Sequence, residues 1–179
     1  MDSEQSFHAS LRMFDARVNL LETLHGKPAM ATVSSFSGGF FTGKPQTQDH
    51  SHLLGMRPEA QGVDRTQLML HFRPTPNGYI LTLKNPGEHY NKLISRSLLE
   101  VLGAESSNTV NPTRFILVDH QQNIITRKNI NTPHTPVSLM TTVNKYVGGL
   151  RVRGSPYIYL AETEEKSKIT FILSLREGM

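Results

Sequence analysis

Two histidines two residues apart, His50 and His52 in the stretch Asp49-His50-Ser51-His52, are the densest group of metal-capable side chains in the chain. On an extended strand residues i and i+2 share a face, so the two imidazoles could chelate one ion. A structural zinc site needs four ligands, and the sequence offers no second cluster at ligand spacing, so a solvated loop is the expectation and no metal is assigned. Asp119-His120 could form the acid–base half of a catalytic group. No serine stands in a nucleophile elbow, and Asp, Gln and Asn are ordinary hairpin-tip residues, so a turn is expected there. Ser37 to Gly43 is rich in glycine but lacks the phosphate-loop spacing and the Lys-Ser/Thr that should follow, so a tight hairpin on Gly38-Gly39 is the reading. No catalytic residue is assigned, the protein is expected not to be an enzyme, and no cofactor is implied.

The remaining chemistry is that of a binding surface. Tyr157 and Tyr159 alternate with Ile158 in GSPYIYL, so both tyrosines share one strand face. With Ile158 and Leu160 facing the core, the tyrosines point outward beside Arg151 and Arg153. This Tyr–Arg patch, with Phe41 as a further exposed aromatic, is the candidate ligand surface, able to stack on a sugar ring or grip a protein partner. The competing reading, that the tyrosines cap the core, weighs about equally.

Charge and composition bound what such a surface could serve. The 179 residues carry 19 Lys and Arg against 15 Asp and Glu, a net +4, and no run of five like charges occurs, so nucleic acid is not an expected partner. The absence of cysteine removes disulfides, thiolate zinc sites and thiol nucleophiles together. No apolar run reaches the roughly 18 residues of a spanning helix. The N-terminus MDSEQSFHAS is acidic where a secretion signal would be basic. The expected address is the cytoplasm, or the exterior by a signal-less route.

Two kinds of element must position these residues. Over 4–24, Phe7, Leu11, Phe14, Val18 and Leu21 recur at steps of four and three, with Leu24 extending the stripe, Arg12, Arg17, Asn19 and Glu22 opposite, and Gly26 and Pro28 following. That spacing predicts an amphipathic α-helix, with residues 1–28 as helix and linker. Its stripe could pack on the rest of the chain, join copies into a homo-oligomer, or dock on a membrane.

Beyond Pro28 the pattern becomes short apolar runs between Gly, Pro, Asn and Ser clusters, the signal of strands and turns. Three segments align. Val33, Leu83 and Leu139 each stand seven residues before an aromatic, Phe40, Tyr90 and Tyr146, read as core anchors spaced 50 and 56 residues apart. Leu68, Phe115 and Phe171 follow some 25 to 28 residues later, and Leu53–Leu54, Leu99 with Val101, and Ile158 with Leu160 fall between. NINTPHTP, residues 129–136, reads as an inserted surface loop.

Three units of about four strands resemble the β-trefoil superfold, and the resemblance covers residues 29–179. It implies an all-β barrel of three pseudo-repeats in which six strands close and six form capping hairpins. β-Trefoils are mostly binding scaffolds. Among them, the ricin-like lectins carry a Gln-x-Trp motif that this tryptophan-free chain lacks. Kunitz-type plant inhibitors are usually disulfide-bonded, and the fibroblast-growth-factor-like group needs a concentrated basic patch. The interleukin-one-like, fascin-like and mushroom-inhibitor groups are not contradicted by composition. The expected function is lectin-like recognition of a glycan, or of a protein, through loops on a rigid scaffold. The alternative is a membrane-active toxin or effector acting through the helix.

Overall fold

The computed structural model of the chain describes residues 5–37, 40–59, 66–97 and 100–177, of which 34–37 and 40–45 by backbone alone. The protein is all-β. Its strands are β1 (Phe7–Arg12), β2 (Ala16–Leu20), β3 (Met30–Ser37), β4 (Phe40–Asp49), β5 (Leu54–Pro58), β6 (Leu68–Thr75), β7 (Gly78–Leu83), β8 (Leu93–Arg96), β9 (Leu102–Glu105), β10 (Phe115–Val118), β11 (Ile124–Ile125), β12 (His134–Thr141), β13 (Tyr146–Arg151), β14 (Ile158–Thr163) and β15 (Phe171–Arg176). A short α-helix, α1 (Leu21–His25), follows β2, and 3₁₀ turns form at Arg127–Asn129 and Glu165–Ser167. Thirteen strands belong to one antiparallel sheet, and β3–β4 is a separate hairpin.

Most of the region read as a long helix is instead two strands, Phe7–Arg12 and Ala16–Leu20, with only Leu21–His25 helical. Phe7, Ala9 and Leu11 are buried along β1, and Ala16, Val18 and Leu20 along β2, a period of two. A short turn joins them, with Met13 N donating to Ala16 O at 3.2 Å. Two such runs across a three-residue turn reproduce steps of four and three by coincidence. Phe14 separates the readings: on the helical stripe it would be buried, but at the turn it is 85% exposed. β1 gains a hydrogen-bonded partner on each edge, β6 and β15, which outweighs a helix propensity that is weak in any case. Phe7, Leu11, Val18, Leu21 and Leu24 are all buried within the chain. The element expected to join copies or dock on a membrane is therefore part of the core.

The pairings organise the sheet. β1 pairs β6, β6 pairs β7, β7 meets β10 at Tyr79 and Phe115, β10 pairs β12, β12 pairs β15, and β15 pairs β1. Each of these six strands has two partners among the six. Of the others in the sheet, β11 pairs β10, and the remaining six form hairpins β2–β5, β8–β9 and β13–β14. The hairpins meet through β14–β5 pairing and through bridges Leu53–Gly103 and Val101–Ala161.

Inside lies one apolar cluster drawn from all of these elements, including Leu11, Leu83 and Leu139, then Val18, Ile94 and Val147, then Leu54, Leu102 and Leu160, then Leu68, Phe115 and Phe171. Each such burial is worth about 1.5–3 kcal/mol. Leu68, Phe115 and Phe171 open β6, β10 and β15, as their alignment in the sequence suggested. The first anchor is misplaced: Val33 sits in β3, and Leu11 fills the core beside Leu83 and Leu139. Tyr146 is buried, but Tyr90 is 48% exposed under the Lys84 ammonium, so it is no core anchor. Phe40 and Leu99 fall among side chains outside the described residues. The supposed loop at 129–136 ends early, because His134, Thr135 and Pro136 already pair with β15.

Between β2 and β5 the chain makes an excursion through α1 and the β3–β4 hairpin. It builds a second apolar cluster, Leu21, Leu24, Ala29, Ala31, Val33 and Leu53 against Val101, Tyr157, Tyr159 and Ala161. Gly55 permits the close crossing, since a Cβ there would stand 2.6 Å from the Ile158 carbonyl oxygen.

Phe7→Ala should cost about 3–5 kcal/mol in urea unfolding, through loss of a buried ring stacked on Phe72. Phe14→Ala should change stability by less than about 0.5 kcal/mol. Equal losses at both positions would favour the helical stripe over the two strands.

Candidate functional site

The expected Tyr–Arg patch does not assemble. Tyr159 is fully buried and Tyr157 nearly so, while Arg151 and Arg153 are exposed. Alternation on β14 was read correctly, and Leu160 does enter the main core, but the opposite face carrying Tyr157 and Tyr159 is not left to solvent: the α1–β3–β4 excursion covers it. Phe41 lies among side chains outside the described residues.

Tyr159 and the Asp49–His52 stretch meet in a buried polar chain. His50 Nε2 lies 3.1 Å from the Gln48 side-chain oxygen, which can only accept, so Nε2 carries the proton. His50 Nδ1 then accepts from the Tyr159 hydroxyl at 2.6 Å, and that hydroxyl accepts from Ser155 at 2.6 Å. Burial lowers the His50 pKa, and His52 lowers it further. His52 turns elsewhere, to Ser97 Oγ at 3.1 Å. Each imidazole is committed to different partners, so the pair is a clamp on the excursion and not a shared face. Asp119 sits at its hairpin tip, accepting from the Gln121 and Asn123 backbone at 2.9 Å each.

Two Ser–His contacts that the sequence gave no sign of bear on catalysis. Ser97 and Glu105 both approach His52 Nε2, at 3.1 and 3.9 Å. A relay needs the acid on the opposite ring nitrogen, so this group cannot pass a proton from serine through histidine to carboxylate. His134 Nδ1 bonds Ser174 Oγ at 2.7 Å across β12–β15, with no carboxylate on that ring among the described residues.

The strongest site is a groove of about 330 Å³ where β8, the β9–β10 loop, the β12–β13 turn and β14 converge. Its floor is Glu162, whose side chain is only 3% exposed. Arg96 grips it with two bonds, Nε to Oε1 at 3.0 Å and Nη2 to Oε2 at 2.9 Å, and Thr141 Oγ1 donates to Oε2 at 3.3 Å. This planar fork is the strong form of carboxylate pairing, and the hydrogen bond to Glu162 raises the Arg96 pKa above its ordinary value. Arg96 itself is half exposed and lines the groove. The loop is stapled to β8: Arg96 N donates to Thr113 Oγ1 at 2.9 Å, and Thr113 N to Ser95 Oγ at 3.0 Å. Asn111 and Thr142 line the groove with side chains that make no bond within the described residues. Val110 and Val143 stand on its flanks, 91% and 57% exposed. Arg96 and Glu162 are 66 residues apart, and no local pattern links them, so sequence reading had no means of finding the pair.

No family model, curated protein or solved structure matches this chain. No helix among the described residues is long and apolar enough to cross a membrane, and no group of three or more metal-capable side chains occurs among them.

Two consequences can be measured. Arg96→Met strands a buried carboxylate and should cost about 1–3 kcal/mol, the half-exposed arginine leaving water some access. Adding Glu162→Leu should return most of that loss, as read by urea unfolding. The second concerns acid. Burial is the first cause that lowers the pKa of His8, His25, His50 and His71. The folded state therefore binds protons less readily than the unfolded chain, whose histidines titrate near 6.5. Stability should be full above that pH and decline as pH falls from about 6.5 towards 5. A urea midpoint that stays flat between pH 7.5 and 5 would contradict this.

Proposed function

We propose that this protein is a non-enzymatic binding protein of β-trefoil design that takes a glycan in the Arg96–Glu162 groove. Six strands with two partners each, three hairpins and inward residues contributed in threes support the trefoil reading. The observation that carries the functional reading is the polar groove floored by a buried, doubly bonded arginine–glutamate pair.

Its chemistry suits a hydroxyl-rich ligand. Glu162 fixes the guanidinium in place, so its remaining donor edge meets a ligand with little entropy left to lose. Asn111 and Thr142 add an amide and a hydroxyl. Val110 and Val143 offer small apolar surfaces for the C–H face of a sugar, the mixture typical of ligand pockets. A protein partner would call for a broader apolar patch than two valines supply.

A glycan array with the full chain should identify a ligand, and calorimetry should follow it. Arg96→Gln should weaken binding at least about tenfold, the worth of a hydrogen bond from a charged donor, while Arg151→Gln should leave it unchanged. An array without hits, or an affinity indifferent to Arg96→Gln, sinks the glycan reading.

A further inference from the structure

The outer face of five neighbouring strands, β7–β6–β1–β15–β12, carries no Asp or Glu within any of them. Its outward positions alternate with the core residues of the same strands. β1 contributes His8 and Arg12, β6 His71 and Arg73, and β15 Arg176, while Lys84 follows the end of β7. Arg176, His8 and His71 lie in one row across three strands, by register Arg176–His8 and His8–His71. Strands stand about 4.8 Å apart, so the row sets three basic groups along a line of roughly 10 Å. Arg12, Arg73, Lys84 and Arg176 have no carboxylate partner among the described residues.

The two histidines are the unusual part. Their rings are 4.6 Å apart, tilted by 39°. Among the described residues no acid stabilises their charged forms. Burial and then Lys84 lower the pKa of His8; burial, then His8, Lys84 and Arg73, lower that of His71. Arg176 faces His8 from β15, and on the far side of β15 His134 is turned to Ser174. Glu177, next to Arg176, is exposed at the end of β15. Two adjacent imidazoles ringed by cations resist protonation unless a negative group is brought to them. An anion from outside would supply that charge, and protonation and binding would then reinforce each other.

We propose that this face is a second binding surface, distinct from the groove, for a linear sulfated polysaccharide, and that it holds its ligand more tightly as the medium becomes acidic. The face has no exposed large apolar side chain, so a lipid surface gains nothing beyond charge there. Within the five strands no Phe, Tyr or Trp stands at an outward position, and the exposed ring that borders them, Tyr90, is covered by the Lys84 ammonium, so bases gain little stacking there. A sulfated chain needs neither, and its sulfates stay ionised at every pH considered.

The test measures binding of the full chain to chondroitin sulfate at pH 7.5 and pH 5.5 at constant moderate salt. Single-stranded DNA and anionic phospholipid vesicles serve as competing arms. Affinity for the polysaccharide should rise about fivefold or more at the lower pH. His8→Gln/His71→Gln should remove that rise, and Arg73→Ser/Lys84→Ser should weaken binding at both. Melting curves on each variant establish that it is folded. Absence of binding, equal binding by the Arg73→Ser/Lys84→Ser variant, a pH response that survives loss of both histidines, or tighter capture of DNA or vesicles would each overturn the proposal. Arg96→Gln should not affect this binding, which separates failure here from failure of the groove.

Discussion

The pairing of β1 with both β6 and β15 is the constraint on which the rest of the structure depends. The first strand and the last are hydrogen-bonded over five residue pairs, from His8–Arg176 to Arg12–Ile172. Without β1, β6 and β15 would each present an open edge, a template for aggregation. The central cluster would also lose Phe7, Ala9 and Leu11 at once. A contact between opposite ends of the chain pays its loop-closure entropy before other contacts repay it, so it is expected to form late in folding.

This long-range demand explains what the sequence could and could not reveal. Leu68, Phe115 and Phe171 were legible because each opens a strand whose place repeats, and the strand–turn texture beyond Pro28 was legible because Gly, Pro and Asn punctuate it. The segment 7–20 misled because it satisfies two periods. Its inward set by alternation is Phe7, Ala9, Leu11, Ala16, Val18 and Leu20, and two of these are alanines that contribute little to an apolar count. The larger side chains, Phe7, Leu11, Phe14 and Val18, fall on a helical face. Only partners some 60 residues away in β6 and at the far end in β15 decide between the two, and a local window contains neither.

The same limit applies to the tyrosines. Tyr157 and Tyr159 were correctly placed on one face of a strand, and the error lay in assuming that only one face is covered. β14 is packed on both sides, by the main core through Leu160 and by the excursion through Ala31, Val33 and Leu21. His50, buried and bonded to Tyr159, and Gly154, where a Cβ would stand 2.5 Å from the Thr32 carbonyl oxygen, tie the excursion down. A hairpin inserted between β2 and β5 leaves no mark on the pattern of the strands around it, so the burial of its neighbours could not be inferred from them.

The groove stands out most clearly when it is set against the proposed trefoil symmetry. If Val18, Ile94 and Val147 occupy like positions, and Leu54, Leu102 and Leu160 likewise, then two residues further on the chain places Leu20, Arg96 and Gly149 in one set and Met56, Ala104 and Glu162 in the other. Gly149 does face Met56, whose sulfur would lie 3.4 Å from a Cβ built there. Two of the three positions are therefore filled by small or apolar residues, as packing prefers. The third carries an ion pair whose acid is buried, an arrangement that apolar residues of similar volume commonly equal or better in stability. A fold that can satisfy this position with Gly and Met gains no stability from Arg and Glu. What the pair adds is a fixed guanidinium at the mouth of a groove, a feature the core does not need and on which the proposed glycan binding rests.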